Sequence, residues 1–157
     1  MAETRKAELL STLDIAMEIA ASAHHGQSDK FGQPYILHPM RVMARVNSPQ
    51  AKIVALLHDV VEDSATTLDD LRASGFAPEI IDAVALLTKV DDEEYTGYVS
   101  RLAHNKLART VKMADLEDNM DLRRIPALTE SDLKRLQRYH WAWVFLNEVE
   151  NSNGAGS

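Results

Sequence analysis

Residues 55–67 read ALLHDVVEDSATT, and the first of them close an apolar run, Ile53-Val54-Ala55-Leu56-Leu57. A helix that is apolar on nearly every side is normally buried, so this run predicts a helix at the centre of the molecule. It passes directly into His58 and Asp59, then Glu62 and Asp63. Ionised side chains do not enter a core unless something compensates them. If the helix continues, His58 shares a face with Glu62, and Asp59 with Asp63. A divalent cation gripped by the adjacent His58 and Asp59 would supply the compensation. A chance His-Asp pair, with Glu62 and Asp63 marking a helix end that turns to solvent, fits these residues alone equally well. The rest of the chain decides between the two.

The chain has 157 residues, which suits one domain with a real core, and 45% of them are hydrophobic, as in globular proteins. A net charge of -7 argues against a non-specific nucleic-acid binder, which needs a basic face. It leaves room for a small anionic ligand held by a few local cations. There is no cysteine, so disulfides and thiolate metal sites are excluded and any metal must use histidine and carboxylates. The opening segment, MAETRKAELLSTLDIAMEIA, is charged and amphipathic and lacks the apolar run of a signal peptide or membrane span. A cytoplasmic protein with no membrane partner is expected.

Working outward, the pattern predicts a helix over 5–25 with Leu9, Leu13, Ala16, Met17, Ala20 and His24 on one face, ended by Gly26. His24 then points inward, as a hydrogen-bonded core histidine. A polar loop follows, carrying Asp29 and Lys30. Pro39 suits the first turn of a second helix, which would fix His38 at its start with Arg41 and Arg45 beyond. Asn47-Ser48-Pro49 breaks the chain before the apolar helix. Thr67 and Asp70 form a capping box for a helix over 68–74, and Gly75 stops it. Pro78 opens a helix with Ile80, Ile81, Val84, Leu87 and Thr88 inward, and the acidic run after Lys89 reads as a solvated turn. A short helix is expected over 95–104.

The segment 105–122, NKLARTVKMADLEDNMDL, reads as another helix. Val111, Asp115 and Asn119 share its apolar face, so Asp115 repeats the anomaly of His58-Asp59. Two helices that each bring an unexplained buried acid are reconciled if both point at one ion. Lys112 either reaches a bound anion or lies at the surface; Glu117, Asp118 and Asp121 face outward or back the ligands. A last helix over 130–149 carries Leu133, Leu136, His140, Trp143, Val144 and Asn147 on one face, widened by Trp141 and Phe145; its exposed remainder is compatible with a homo-oligomer. No repeat, linker or strand stands out. The expectation is all-α: an orthogonal helical bundle of about seven or eight helices, one domain over 1–149, with a flexible tail over 150–157.

The candidate metal ligands are His38, His58, Asp59 and Asp115. Two imidazoles and two carboxylates favour Mn²⁺, with Fe²⁺, Mg²⁺ or Zn²⁺ as alternatives. Such an ion acidifies a bound water by several pKa units. Glu62, one turn past His58, is the natural acid/base.

These residues resemble the HD phosphohydrolase superfamily, whose pattern is H…HD…D. In detail they are similar to the hydrolase domain of the bifunctional Rel/SpoT alarmone enzymes and to the stand-alone small alarmone hydrolases. The matching motifs are HHGQ at 24–27, GQPYILHP at 32–39, ALLHDVVED at 55–63, TKV at 88–90 and VKMADLEDN at 111–119. They span roughly residues 25 to 120 and are far more specific than HD alone. With no synthetase or regulatory region after them, a small stand-alone hydrolase is the expected relative. The resemblance implies an HD-type helical fold and Mn²⁺ at His38, His58, Asp59 and Asp115. It implies that Glu62 and Asp63 handle the attacking water, that Asn119 contacts the nucleotide side and that Lys30 flanks the substrate. The implied reaction removes the 3′-pyrophosphate from guanosine tetra- or pentaphosphate.

The chain also departs from the pattern. The family loop reads HxGQxRK, and here Asp29 stands where an arginine lies against the base. The bifunctional enzymes read ADRLHNMRT where this chain reads ADLEDNMDL, so a polar threonine position is Leu122. The metal set is untouched; base identity is not fixed by these residues, and adenosine nucleotides join guanosine ones as expected substrates. The alternatives are a general HD nucleotidase or phosphatase, and a catalytically idle nucleotide-binding domain.

Overall fold

The computed structural model describes residues 1–154; the side chains of residues 2, 5–7 and 9–11 lie outside that description, and with them the inward orientation expected of Leu9. Among the described residues the fold is all-α, with no strand beyond an isolated bridge between Ser28 and Pro34. The helices are α1 (Ala2–Ala23), α2 (Leu37–Ala44), α3 (Pro49–Leu57), α4 (Val60–Asp63), α5 (Leu68–Ala73), α6 (Pro78–Leu87), α7 (Tyr95–Ala103), α8 (Lys106–Asn119) and α9 (Glu130–Gly154). Only His58 and Asp59 separate α3 from α4, so counting the pair as one broken helix gives eight, within the expected number.

Helix α3 is the centre. Ser48 caps it by accepting from Ala51 N–H, and Pro49 occupies its first turn, where a missing N–H costs nothing. Ile53, Val54, Ala55, Leu56 and Leu57 are all buried. Helices α1, α2, α6 and α8 pack around it. Burying each of the larger side chains contributes about 1.5–3 kcal/mol, so this one turn and a half supplies a large part of the core.

The caps follow the sequence. Thr67 and Asp70 form the reciprocal capping box of α5, Asn105 accepts from Ala108 N–H at the start of α8, and Thr129 and Asp132 bond reciprocally at the start of α9. Gly26 (φ 76°) turns the chain out of α1, a backbone conformation that costs a residue with a Cβ.

Four points of the sequence reading need correction. The helix does not run unbroken through His58: His58 and Asp59 (φ -103°, ψ -4°) form a turn between α3 and α4. The buried face of α9 is formed by Ala142 and Leu146, with Tyr139, Trp143, Phe145 and Val149 packed beside them, while Leu133, Trp141 and Val144 are exposed and so is His140. Apolar residues surround α9 so widely that their period did not single out one face. Helix α9 also continues to Gly154, so the tail expected from residue 150 is helical through 154; Glu150 pairs with the buried Arg109 at 2.5 Å. Residues 155–157 lie outside the described residues. In α1, Leu13, Ala16, Ala20 and His24 face the core, but Met17 is exposed.

Candidate metal centre

Helices α2, α3 and α8 bring His38, His58 and Asp115 to one point, and all three are buried. One ligand atom from each lies within 4.8 Å of the others. His38 Nε2 is 3.0 Å from Asp115 Oδ1, and His58 Nε2 is 3.6 Å from the same oxygen. The turn between α3 and α4 adds Asp59, whose Oδ2 is 3.1 Å from His58 Nε2 and 3.6 Å from His38 Nε2. Two ligands at right angles, each about 2.1 Å from a small divalent ion, stand about 3.0 Å apart, close to these spacings.

The hydrogen bonds behind the cluster support the same reading. His58 Nδ1–H donates to Ala55 O at 2.6 Å. A carbonyl only accepts, so Nδ1 carries a proton, and in the neutral ring the Nε2 lone pair faces the carboxylates. That buried Nε2 has no hydrogen-bond partner. Asp115 is held on both oxygens: Oδ2 accepts from Lys112 Nζ and Oδ1 from Asn119 Nδ2, each at 2.8 Å. Tyr35 O–H donates to Asp59 Oδ2 at 2.5 Å. The donor set and the orphaned Nε2 fit a divalent cation.

Electrostatics say what the cluster does without one. Burial lowers the imidazole pKa of His58, yet the neighbouring carboxylates, Asp59 first and then Asp115, raise it well above the usual range. Burial works against Asp115 too, but Lys112 and the two histidines hold its carboxyl well below the ordinary range. Asp59, also against burial, is lowered to about 2, chiefly by His58. Burial and Asp59 push the Tyr35 phenol far above its ordinary value, so it remains a donor.

Glu62 and Asp63 lie on α4, one turn past the centre, and both are exposed. Glu62 Oε1 accepts from Lys89 N–H at 2.5 Å. The two acids open into a cleft of about 500 Å³ shared with Lys89, Asp91 and Asp92. On the other side of His38 lies a second cleft, of about 270 Å³, lined by Asp29, Lys30, Phe31, Tyr35, Arg41, Asn119, Arg124, Arg135 and Tyr139. The first is acidic and the second basic.

The remaining sequence candidates are engaged within the protein. Asp29 Oδ1 accepts from Phe31 and Gln33 N–H, both at 2.9 Å, so this carboxylate folds back onto its own loop rather than turning outward. Lys30 pairs with Asp132 at the start of α9. Lys112 is not at the surface; it is buried against Asp115, 5.2 Å over the Tyr98 ring. His24 is buried and bonds Gln27 Oε1 at 2.9 Å, as a core histidine should. Gln27 Nε2 in turn donates to Asp63 O at 2.7 Å, tying the loop to the acid pair.

Sequence reasoning passed over Tyr35 and Gln27, although both stand inside motifs it quoted, and left Asp118 unresolved. Asp118 is fully buried and lies on the α2 side of α8, where it accepts from His38 Nδ1 at 2.8 Å. Arg41 and Arg124 also bond it. Burial opposes ionisation there, but His38 and Arg41 hold the Asp118 carboxyl down at about 2. The signal available was its three-residue spacing from Asp115 together with unpaired arginines in α2.

The segment that presents Lys89 N–H is braced by Arg101, which donates through Nε and Nη2 to Glu93 (2.8 and 2.9 Å) and through Nη2 to Thr88 O. The Arg101 hydrogen bonds depress the Glu93 pKa from 4.5 to about 2. A depressed carboxylate keeps its pairing above its unperturbed pKa and loses it as pH falls through the lowered one. An NMR titration of the Glu93 side chain should therefore give a midpoint near 2, returning toward 4.5 in Arg101→Gln. A wild-type midpoint at 4.5 or higher contradicts the bracing.

No family model matches the chain. It is 31% identical over 134 residues to the guanosine-3′,5′-bis(diphosphate) 3′-pyrophosphohydrolase of Vibrio cholerae, covering 76% of this chain and 19% of that protein. It is 33% identical over 137 residues to the enzyme of the same name from Aquifex aeolicus, covering 85% of this chain and 18% of that protein. The chain is a homologue of the Rel/SpoT enzymes. It spans about a fifth of the length of these curated Rel/SpoT relatives. A solved structure described as a metazoan ortholog of SpoT that hydrolyzes ppGpp superposes with a TM-score of 0.70, at 23% identity, over 91% of this chain and 96% of that one. The Rel/SpoT hydrolase fold is therefore the fold of this chain. No helix among the described residues is long and apolar enough to cross a membrane.

Proposed function

We propose that this chain is a Mn²⁺-dependent 3′-pyrophosphohydrolase of alarmone nucleotides, releasing pyrophosphate and a nucleoside 5′-di- or triphosphate. The observation that carries the reading is the convergence of His38, His58, Asp59 and Asp115, with Glu62 one turn away, in a homologue of the Rel/SpoT enzymes. His38, His58, Asp59 and Asp115 would hold the ion. When bound, it supplies Lewis-acid chemistry: it acidifies a water toward neutral pKa and neutralises phosphate charge.

The protein's own residues do the rest. Glu62, oriented by Lys89 N–H, takes the proton of the attacking water, and Asp63 beside it shares that work. Burial, and then the charges of Asp59 and Asp63, push the Glu62 carboxyl up, while Lys89 N–H pulls back, so it is a better base than an isolated glutamate. The basic cleft suits the nucleotide's 5′-phosphates and base, with Lys30 at its rim and Asn119 between cleft and centre. Lys112 acts through Asp115, whose outer oxygen it holds.

Product analysis after incubation of guanosine 5′-diphosphate 3′-diphosphate with protein and Mn²⁺ tests the reaction. Pyrophosphate is expected. Orthophosphate would indicate a general phosphatase, and unchanged nucleotide an idle binding domain.

Base choice should be relaxed. An arginine stacked on a purine contributes about 0.5–2 kcal/mol of cation–π attraction. Asp29 cannot stack and spends its Oδ1 on the loop backbone. Adenosine 3′-pyrophosphates should therefore be accepted alongside or ahead of guanosine ones, as read from kcat/KM on the paired substrates. A guanosine preference above about 100-fold, equal to roughly 2.7 kcal/mol, would mean that other residues hold the base.

A further inference from the structure

One fully buried charge has no part in the chemistry above. The Asp118 carboxylate is 0% exposed, yet it faces α2 rather than the centre of the core. Its Oδ2 accepts from His38 Nδ1 at 2.8 Å, Arg41 Nη2 at 3.1 Å and Arg124 Nη2 at 3.3 Å. Its Oδ1 accepts from Arg41 Nε at 2.8 Å, with Arg45 Nη2 at 3.7 Å. An ionised carboxylate only accepts, so the ring proton of His38 sits on Nδ1. The neutral ring then turns its lone pair, on Nε2, to the point 3.0 Å from Asp115 Oδ1 and 3.6 Å from Asp59 Oδ2. Had Asp118 served only to neutralise arginines, nothing would require His38 on the same oxygen.

We propose that Asp118 is a positioning residue that fixes the Nδ1–H tautomer of His38, raises the basicity of its Nε2 and so presents it to a divalent ion. Arg41 and Arg124 neutralise the charge of the buried carboxylate. The two imidazoles are thereby unequal: His58 is backed by the neutral carbonyl of Ala55, His38 by an anion. Partners of this kind orient a ligand and raise its donor strength, and their loss typically weakens metal binding 10- to 100-fold. The inference rests on the metal centre proposed above.

Calorimetric titration of chelator-stripped protein with Mn²⁺ tests it in wild type, Asp118→Asn and Arg41→Gln. Asp118→Asn keeps an acceptor for His38 but loses the charge, and its affinity should fall about 10- to 100-fold. Arg41→Gln leaves the His38–Asp118 bond and should stay within about threefold of wild type, well inside that range. An Asp118→Asn affinity within about threefold of wild type, or an equal fall in Arg41→Gln, overturns the proposal. Since removing the charge leaves half-buried guanidiniums unpaired and can prevent folding, a second measurement uses wild type alone. A ¹H–¹⁵N correlation spectrum of the ring nitrogens in Mg²⁺- or Zn²⁺-loaded protein should show His38 protonated on Nδ1; a proton on Nε2 overturns the proposal without any variant. If wild type binds no ion, the metal centre itself is refuted and this role with it. Tight wild-type binding with an unaffected Asp118→Asn removes only the role of Asp118.

Discussion

Asp59→Asn should lose both its metal and its turnover. Asp59 Oδ2 faces both imidazole Nε2 atoms, at 3.1 and 3.6 Å, and takes the Tyr35 hydroxyl from behind. The amide has the same shape, so packing and the turn after α3 survive while one negative charge and one anionic ligand disappear. Losing a supporting residue of a metal site costs 10- to 100-fold, so losing a ligand should lower kcat by more than about 100-fold. Elemental analysis should show less bound metal than in wild type purified alongside. A variant that turns over at the wild-type rate would show that Asp59 is not a ligand.

Glu62→Gln should separate chemistry from metal binding. Glutamine keeps the acceptor for Lys89 N–H, and Glu62 has no atom in the ligand cluster, so metal content should be unchanged. What is lost is proton transfer, which contributes about 10²- to 10⁴-fold to kcat. The pH profile should change as well. A general base works only when ionised, so the wild-type rate falls as pH drops through the Glu62 pKa, which burial and the neighbouring Asp59 and Asp63 raise above 4.5. That acid limb should be missing in Glu62→Gln. A loss of less than about tenfold, below the range for such groups, would remove Glu62 from the reaction.

Much of this was legible because certain residues contradict their surroundings. Ile53 to Leu57 is apolar on every side, and only a central helix can satisfy that. His58, Asp59 and Asp115 each place an ionisable group on an apolar face, which marks them as candidates before any partner is known. His38 was legible through the neighbouring Pro39, which fixed it near a helix start.

The remainder was hidden for specific reasons. No glycine or proline marks the turn at Asp59, which joins α3 and α4 where both pack against α1. Asp118 reads as one more acid in an acidic stretch, because His38, Arg41 and Arg45, which explain its burial, come from a helix about 77 residues earlier. Asp29 read only as part of a polar loop, and the bonds it accepts from Phe31 and Gln33 N–H come with a local turn that has Gly32 at φ 79°. Lys112 sits one turn from Asp115 and could have pointed either way; burial against Tyr98 settles its direction.

The central claim is that one divalent ion at His38, His58, Asp59 and Asp115 is required for pyrophosphate release. It is tested by titrating chelator-stripped wild-type protein with Mn²⁺ while measuring pyrophosphate formed from guanosine 5′-diphosphate 3′-diphosphate. The expected result is no turnover without metal, then a rate that rises with added Mn²⁺ and levels off at about one ion per chain, the number one His₂Asp₂ cluster can hold. Full turnover by the stripped protein, in the continued presence of chelator, would contradict it.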